Sequence, residues 1–307
     1  MPADATSHQD AAPPDRPRFG AHVSIAGGVH NAIEAALRLK MDTFQVFVKN
    51  QRQWSAPPLN PEHVARWHAL LATPGCGPPV DHATYLINLA SADARLYARS
   101  RQTFADELQR CQTLAIPYLV VHPGSAGEQP VARALARVAA ALNRIFADHP
   151  GLTVMPLLET MGGQGTTLGS SFAQLGEILG GLDEPDRVGV CVDTCHVFVA
   201  GYDIRDRAAY EAMIAEADRE VGLRRIRCWH LNDSQAACGS HRDRHAHIGH
   251  GQIGNRGFAH VVGDPRFAGL PMILETPKGD TASGRDWDRA NLQRLRTLAT
   301  RARRARA

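Results

Sequence analysis

Several features that would assign a protein to a class are scarce in this sequence. No apolar run approaches membrane-spanning length and no signal peptide is visible, so we expect a cytoplasmic protein with no membrane partner. The six cysteines form no CxxC pair and no regular spacing, which argues against a disulfide framework. The net charge is only +3, so the overall charge does not by itself indicate a nucleic-acid partner.

The sequence does contain enough apolar residues for one large core. The chain has 307 residues, of which 44% are hydrophobic, a length common among single α/β barrels. Residues 1–17 are rich in Pro, Ala and Asp without periodicity, and we expect a disordered tail there. Residues 18–300 are expected to form one catalytic domain, and residues 301–307 (RARRARA) a basic, frayed tail. Cys191 and Cys228 fall in apolar runs and are expected to be reduced core residues.

Short apolar runs alternate with helical patterns along the whole domain. The runs are bounded by Gly, Pro or polar residues and are too short for helices, which favours strands. They begin near positions 18, 43, 78, 117, 153, 188, 225 and 271. Seven of the intervening stretches carry helical apolar stripes, such as Leu135, Val138, Leu142 and Ile145. Strict alternation over eight units predicts an α/β fold with a single (β/α)8 TIM barrel; a doubly wound open sheet is the alternative.

Polar residues follow the predicted strands with unusual regularity. In such a barrel the chemistry lies at the carboxyl ends of the strands, where these side chains would converge. The candidates are His82, His122, Glu159, Asp193, His196, His230, Asp243, His245 and Glu275. Taken singly, each has an ordinary explanation, such as a hydrogen-bonded core histidine or a helix cap. Taken together, four carboxylates crowded without cations would repel one another and lose solvation.

The set therefore predicts divalent metal ions. His with Asp or Glu and no Cys suits zinc or manganese in sites that keep open positions. Nine ligands suit two or three ions if one carboxylate is shared. Three ions bring +6 against −4 from the carboxylates, so a loaded site of about +2 would attract phosphate.

At these residues the sequence resembles the endonuclease IV family of abasic-site DNA repair enzymes. The resemblance covers nearly all of residues 18–300 and rests on several motifs in order, which is far more specific than any one motif. They are GAHVSIAGG (20–28), KNQRQW (49–54), HATYLINLA (82–90), VHPGS (121–125), ETMGGQGTTLG (159–169), VDTCHVFVAGYD (192–203), HLNDS (230–234), GSHRDRHAHIG (239–249) and ILETP (273–277).

The resemblance implies a trinuclear zinc cluster, with manganese as the alternative at one or more positions. His82, His122 and Glu159 would hold one ion; Glu159, Asp193, His230 and Glu275 a second; and His196, Asp243 and His245 a third. It also implies hydrolysis of the phosphodiester bond 5′ to an abasic site, leaving a 3′-hydroxyl and a 5′-deoxyribose phosphate, with 3′-end trimming as a second activity. In that scheme a hydroxide between two ions attacks, the third ion stabilises the leaving oxygen, and Glu159 is the catalytic residue that orients the hydroxide.

The implied partner is double-stranded DNA with abasic sites or blocked 3′ termini. The sequence has no signal for oligomeric state, and a monomer is the default expectation. Arg52 and Tyr85 match the family positions that enter the duplex at the lesion, and Lys49, Gln51 and Gln53 are expected to contact the DNA backbone. Surface charge for Arg52 and rim packing for Tyr85 are the structural alternatives.

Two other functions stay open at this stage. A sugar isomerase on the same barrel would need only Glu159, Asp193, His230 and Glu275, and a non-catalytic DNA-binding barrel would need none of the ligands. Two departures from the family pattern are visible: His250 replaces an acidic residue in HIGHG, and His241 stands in GSHRD.

Overall fold

The computed structural model describes residues 16–73 and 77–306. Most of the predicted tail of residues 1–17 lies outside this range, as does Cys76. The strands are β1 (Arg18–Ala21), β2 (Gln45–Val46), β3 (Val80–His82), β4 (Tyr118–Val121), β5 (Met155–Glu159), β6 (Gly189–Asp193), β7 (Ile226–His230), β8 (Asp233–Ser234), β9 (His245–Ala246) and β10 (Pro271–Leu274). The helices are α1 (Asn31–Arg38), α2 (Pro61–Leu71), α3 (Ala94–Thr113), α4 (Val131–Asp148), α5 (Phe172–Gly180), α6 (Thr194–Ala200), α7 (Arg207–Glu220), α8 (Gly254–Val262) and α9 (Trp287–Arg304).

Eight parallel strands form a barrel, in the order β1-β10-β7-β6-β5-β4-β3-β2. A bridge between His22 and Gln45, beside the bond from the Val23 amide to the Gln45 carbonyl (2.8 Å), joins the two edge strands. The eight predicted strands are all present, and the TIM-barrel prediction is confirmed. At Gly20 a Cβ atom would lie 2.1 Å from the Thr43 carbonyl oxygen, so only glycine permits this close approach beside β2.

The barrel interior holds a compact layer of six buried apolar side chains, one each from β3, β4, β5, β6, β7 and β10. They are Val80, Val120, Leu157, Cys191, Cys228 and Ile273. Cys191 and Cys228 are free thiols with no exposed surface, which confirms them as reduced core residues. Outside the strands, the helices pack their apolar faces against the barrel and enclose a second, larger core.

Several elements were not predicted from the sequence. α6 begins directly at the end of β6, with Asp193 as its N-cap accepting from the His196 amide (2.9 Å). Six of its seven residues are buried, so it has no amphipathic stripe to reveal it. α8 and the small β8–β9 hairpin were also missed. α9 continues to Arg304, so most of the expected basic tail is helical. No helix in the described ranges is long and apolar enough to cross a membrane.

Candidate metal centre and DNA-facing rim

All nine predicted ligands lie together at the carboxyl ends of the strands. Four of them are the last residues of their strands: His82, Glu159, Asp193 and His230. The others follow a strand or come from the elements above the barrel. His122 and Glu275 directly follow β4 and β10, His196 lies in α6, Asp243 in a loop, and His245 in β9.

The barrel itself aims six of these side chains. Each residue of the interior apolar layer stands two positions before a candidate ligand, as Leu157 stands before Glu159 and Ile273 before Glu275. Alternate residues of a strand point to the same side. The ligands therefore form the next layer up, on a floor from which water is excluded.

The first group consists of His82, His122 and Glu159. Glu159 Oε2 lies 3.2 Å from His82 Nε2 and 3.1 Å from His122 Nε2. Ligand atoms around a tetrahedral ion with bonds of about 2.0–2.2 Å are about 3.3–3.6 Å apart, so the spacing is close to that of a metal site. The three form one of the groups whose ligand atoms all lie within 4.8 Å of one another.

The second group shares Glu159 and adds Asp193, His230 and Glu275. Glu159 turns its other oxygen, Oε1, to His230 Nδ1 (2.8 Å). His230 Nδ1 also lies 3.2 Å from Glu275 Oε2 and 3.8 Å from Asp193 Oδ2. The two oxygens of one buried carboxylate thus face two different groups, as a bridging ligand requires.

The third group consists of His196, Asp243 and His245. Asp243 lies between the two imidazoles, with Oδ2 3.1 Å from His196 Nε2 and Oδ1 3.2 Å from His245 Nε2. Both ring nitrogens are buried, yet neither contact has hydrogen-bond geometry. Both buried imidazole nitrogens lack a hydrogen-bond partner, and both lie beside the Asp243 carboxylate. This arrangement has the donor atoms to bind a cation between the three side chains.

The imidazoles are also oriented for metal binding. In four of them one ring nitrogen faces the carboxylates while the other lies against a carbonyl oxygen, to which it can donate. These contacts are His82 Nδ1 with Ala83 O (2.8 Å), His196 Nδ1 with Thr160 O (2.8 Å), His230 Nε2 with Gln45 Oε1 (2.8 Å) and His245 Nδ1 with Glu275 O (3.3 Å). Such bonds leave a lone pair on the nitrogen that faces the site, so the residues present fit divalent ions.

The electrostatics of the protein groups lead to the same conclusion. Burial opposes protonation of His230, but the carboxylates of Glu275 and Glu159 outweigh it and hold the pKa well above its usual value. The pKa of His245 is raised to about 9: burial again opposes protonation, while the adjacent Asp243 carboxylate and the charge of Asp193 favour it. Burial would raise the pKa of Glu159, yet the charges around it, His230 first, hold it well below its usual value. The buried carboxylates thus stay ionised only beside positive charge, which either protonated histidines or metal ions can supply.

Two supporting residues were missed in the sequence. Gln45 is fully buried, and its Nε2 donates to Glu275 Oε1 (2.6 Å) while its Oε1 accepts from His230. Asn232 donates to Asp193 Oδ2 (2.6 Å) and accepts from the Glu275 amide (2.9 Å). Neutral amides carry no charge signal; only the position of Asn232 two residues after His230 could have indicated its role.

The loop beyond the third group is fixed by a buried carboxylate. Asp233 has no exposed surface and accepts from the backbone amides of Gly249 (2.9 Å), Gly251 (3.0 Å) and Ile253 (2.9 Å). Asp233 stands three residues after His230 and pairs with Ala246, next to His245, so its bonds tie both ligand-bearing segments to this loop. The carboxylate therefore has a structural role and does not belong to any of the three groups.

The predicted DNA contacts lie in two places: in the loop after β2, and beside the candidate metal ligands at Tyr85. Arg52 and Gln53 are exposed and Gln51 is half-buried, all in the loop after β2. Tyr85 is 55% exposed, and its ring lies 5.3 Å from that of His82 and 5.5 Å from that of His122. Arg52 and Gln51 line an open groove of about 1180 Å³ that also includes His22 and Lys278.

Lys49 lies in a different environment from the exposed Arg52 and Gln53, and its contact with DNA stays a prediction. Its side chain is buried, and its Nζ lies 3.0 Å from Glu107 Oε1 and donates to the Trp54 carbonyl (2.9 Å). Its charge neutralises a buried carboxylate, and this pairing holds the loop that carries Arg52 against α3. The Lys49 side chain also lines the groove that contains Gln51 and Arg52.

The two departures from the family pattern lie near the rim. His241 has a positive φ of 53° and its Nδ1 lies 2.9 Å from the Gly162 carbonyl. His250 is exposed, with its ring edge-on to Trp287 at 5.2 Å. Neither belongs to the three groups of candidate ligands.

Comparisons with known proteins agree with this geometry. A family model described as xylose isomerase-like TIM barrel matches residues 33–298. The probable endonuclease 4 of Chloroflexus aggregans is 51% identical over 282 residues, covering 92% of this chain and 98% of that protein. The crystal structure of endonuclease IV from Thermus thermophilus superposes with a TM-score of 0.81 at 35% identity, over 93% of this chain and 100% of that one. A D-tagatose 3-epimerase-like protein shares the fold, with a TM-score of 0.72 at 20% identity over 94% and 100% of the two chains.

Proposed function

Since this chain belongs to the endonuclease IV family of abasic-site endonucleases, we propose that it cleaves the phosphodiester bond 5′ to an abasic site with the help of three divalent ions. The products are a 3′-hydroxyl and a 5′-deoxyribose phosphate. The same centre trims blocked 3′ termini, because it acts on the phosphodiester rather than on a base. The observation that carries this proposal is the arrangement of nine convergent side chains in three groups, two of which share Glu159. His196 of the third group lies 3.5 Å from the same carboxylate.

Each group would hold one ion, and zinc is the metal we expect. His82, His122 and Glu159 form the first site; Glu159, Asp193, His230 and Glu275 the second; and His196, Asp243 and His245 the third. Bound ions would supply Lewis-acid stabilisation of the phosphodiester and an activated water at neutral pH.

The protein contributes charge balance and orientation. Four carboxylates bring about −4, so three divalent ions leave the centre near +2, which favours an anionic phosphodiester. Glu159 is fully buried with its two oxygens turned to different groups, so it fixes the distance between them. The nearby bonds from Gln45 and Asn232 hold the second group in place before substrate arrives.

Recognition of the lesion is assigned to Arg52 and Tyr85. Arg52 projects from an exposed loop, and Tyr85 presents a largely exposed ring directly beside His82 and His122. An abasic nucleotide has no base to unstack, so turning it toward the centre costs less than extruding an intact nucleotide. An aromatic ring at the edge of the centre can fill the space left in the duplex.

A sugar isomerase is the alternative function, and the third group of candidate ligands argues against it. The second group alone would suffice for that chemistry, while His196, Asp243 and His245 would have no role in it. The shared fold with an epimerase-like protein at 20% identity is a likeness of architecture only. A non-catalytic barrel is disfavoured because unused crowded carboxylates would lower stability.

The test is an incision assay on a duplex with one tetrahydrofuran abasic analogue, run beside an aldose isomerisation assay. We expect incision on the 5′ side and no isomerisation. Elemental analysis of protein purified without chelator should find about three divalent ions per chain, as the ligand count suggests. One ion or fewer in active protein would contradict the trinuclear centre.

A further inference from the structure

The positive charge of this chain is concentrated in its last helix. α9 contains six Arg and one Asp, a formal charge of +5. The whole chain sums to +3, so the residues outside α9 sum to −2. The single acid of α9, Asp288, lies 2.8 Å from Lys278. The helix itself therefore contains no second carboxylate that could neutralise its arginines.

Four of these six arginines lie on the outward side of the helix. At 100° per residue, Arg289, Arg294, Arg301 and Arg304 fall within an arc of about 140°. Leu292 and Leu295, on the opposite side, are buried in the core. The arrangement presents a continuous basic face along α9 rather than charge scattered around it.

Part of this face forms a groove, which we call the α9 groove. It has a volume of about 360 Å³ and is lined by Asn255, Arg285, Ala290, Gln293, Arg294, Thr297, Leu298 and Arg301. Three guanidinium groups and three neutral polar side chains face it, and no carboxylate is among these lining residues. Such a lining suits phosphate oxygens, which accept paired hydrogen bonds from guanidinium groups.

We propose that the α9 groove binds the phosphate backbone of DNA outside the cleavage site. This rests on the proposed function, because it takes DNA as the polyanion. α9 follows the loop that leaves β10 at the ligand end of the barrel, and it runs back along the outside. From Arg289 to Arg301 it extends about 18 Å, the axial length of about five nucleotides of one strand. Flanking DNA that bends down the side of the barrel would meet this face.

The contact is electrostatic and independent of sequence. It would strengthen the hold on long DNA during a search for lesions and leave the chemistry at the centre unchanged. The arginines at the two ends of the groove, Arg285 and Arg301, are exposed. Arg294 is a poor choice for substitution, because its Nη1 donates to the Ile248 carbonyl (2.9 Å) and holds the loop that carries His245.

The test compares R285Q/R301Q with the wild type and with R133Q/R144Q. The control removes the same charge from two exposed positions of α4. Affinity is measured for lesion-free duplexes of about 12 and about 40 base pairs over a range of salt concentrations, where each lost phosphate contact lowers the salt slope by about 0.9. On the long duplex we expect R285Q/R301Q to lower the slope by about 1.5–2 relative to wild type, with no change on the short duplex. R133Q/R144Q should match the wild type on both.

Two results would overturn the proposal. One is a long-duplex slope for R285Q/R301Q that equals that of the wild type or the control. The other is an equal loss on the short duplex, which would place the two arginines at the barrel mouth. Cleavage of the short abasic duplex is assayed separately. If wild-type protein fails to cut it, the proposed function fails, while the binding curves still decide whether the α9 groove holds DNA.

Discussion

Replacing Gln45 by Leu should weaken one ion site and leave the other two intact. The Gln45 carboxamide bridges two members of the second group, donating to Glu275 Oε1 at 2.6 Å and lying 2.8 Å from His230 Nε2. The second contact keeps the proton of neutral His230 on Nε2, so that Nδ1 presents its lone pair to Glu159 and Glu275. Leu fills similar space and can make neither bond.

The size of the effect follows from these two bonds. A hydrogen bond to a charged group contributes about 1.5–3 kcal/mol, but part of that loss is felt by the ion-free protein as well. Removing a partner that orients a metal ligand lowers metal affinity by about 10- to 100-fold. This corresponds to about 1.4–2.8 kcal/mol for the second site. The third group has no contact with Gln45 and should keep its affinity.

The assay is a zinc titration against a competing chelator, with incision of abasic duplex followed in parallel. One of three binding steps should weaken, and incision should fall at limiting zinc and recover with excess. The matched control is Q109L, which removes an exposed glutamine on α3 that contacts His149. Three unchanged binding steps in Q45L would refute the orienting role. A uniform weakening of all three, together with a lower melting temperature, would show a general packing defect instead.

Four further predictions concern other residues of the site and its surroundings. H245A should lower incision by orders of magnitude with little change in melting temperature; wild-type incision at matched metal loading would remove the third group from the centre. R52A/Y85A should keep its ions but lose preference for abasic over intact duplex, a cost of a few kcal/mol, while trimming of a blocked 3′ terminus changes much less. K49M should lower the free energy of unfolding by about 3–5 kcal/mol in denaturant titrations, because it leaves Glu107 unpaired, and K49M/E107M should recover much of the loss. Zinc uptake at pH 7 should release protons in weakly buffered solution and tighten as pH rises toward 9, because carboxylates hold the pKa of His245 at about 9 and a ligand must be neutral; uptake without proton release would contradict this.

The convergence of the candidate ligands could be predicted because the strands of a barrel leave a recognisable pattern in the sequence. A polar residue at the end of a short apolar run, as in His82 or Glu159, is conspicuous, and parallel strands bring such ends to one face. The strand starts were also close, since β6 was expected near residue 188 and begins at Gly189. Alternation then places the side chains without further information.

The contacts of Lys49 and Gln45 could not be predicted from the sequence. A lysine in a polar loop reads as a surface charge, and its buried partner Glu107 lies in α3, far along the chain. Gln45 begins a strand of two residues, and its partners Glu275 and His230 belong to the other half of the barrel. Both roles depend on contacts between distant segments, which no local pattern records.

Glu159 connects the three groups: it belongs to two of them, and it lies 3.5 Å from His196 of the third. Its carboxylate is fully buried, and the nitrogens around it come from β3, the end of β4, β7 and α6. Removing such a charge from water is costly, so the folded barrel must supply positive partners on several sides at once. Imidazolium protons can do this in the absence of ions, and divalent ions can do it with twice the charge. Loss of one ion would leave less positive charge around the buried Glu159 carboxylate, which would favour retention of the proposed ions on dilution. Because the four carboxylates alone bring about −4, the proposed centre would attract a phosphodiester only with its ions bound, so attraction of the DNA backbone would depend on the same ions as cleavage.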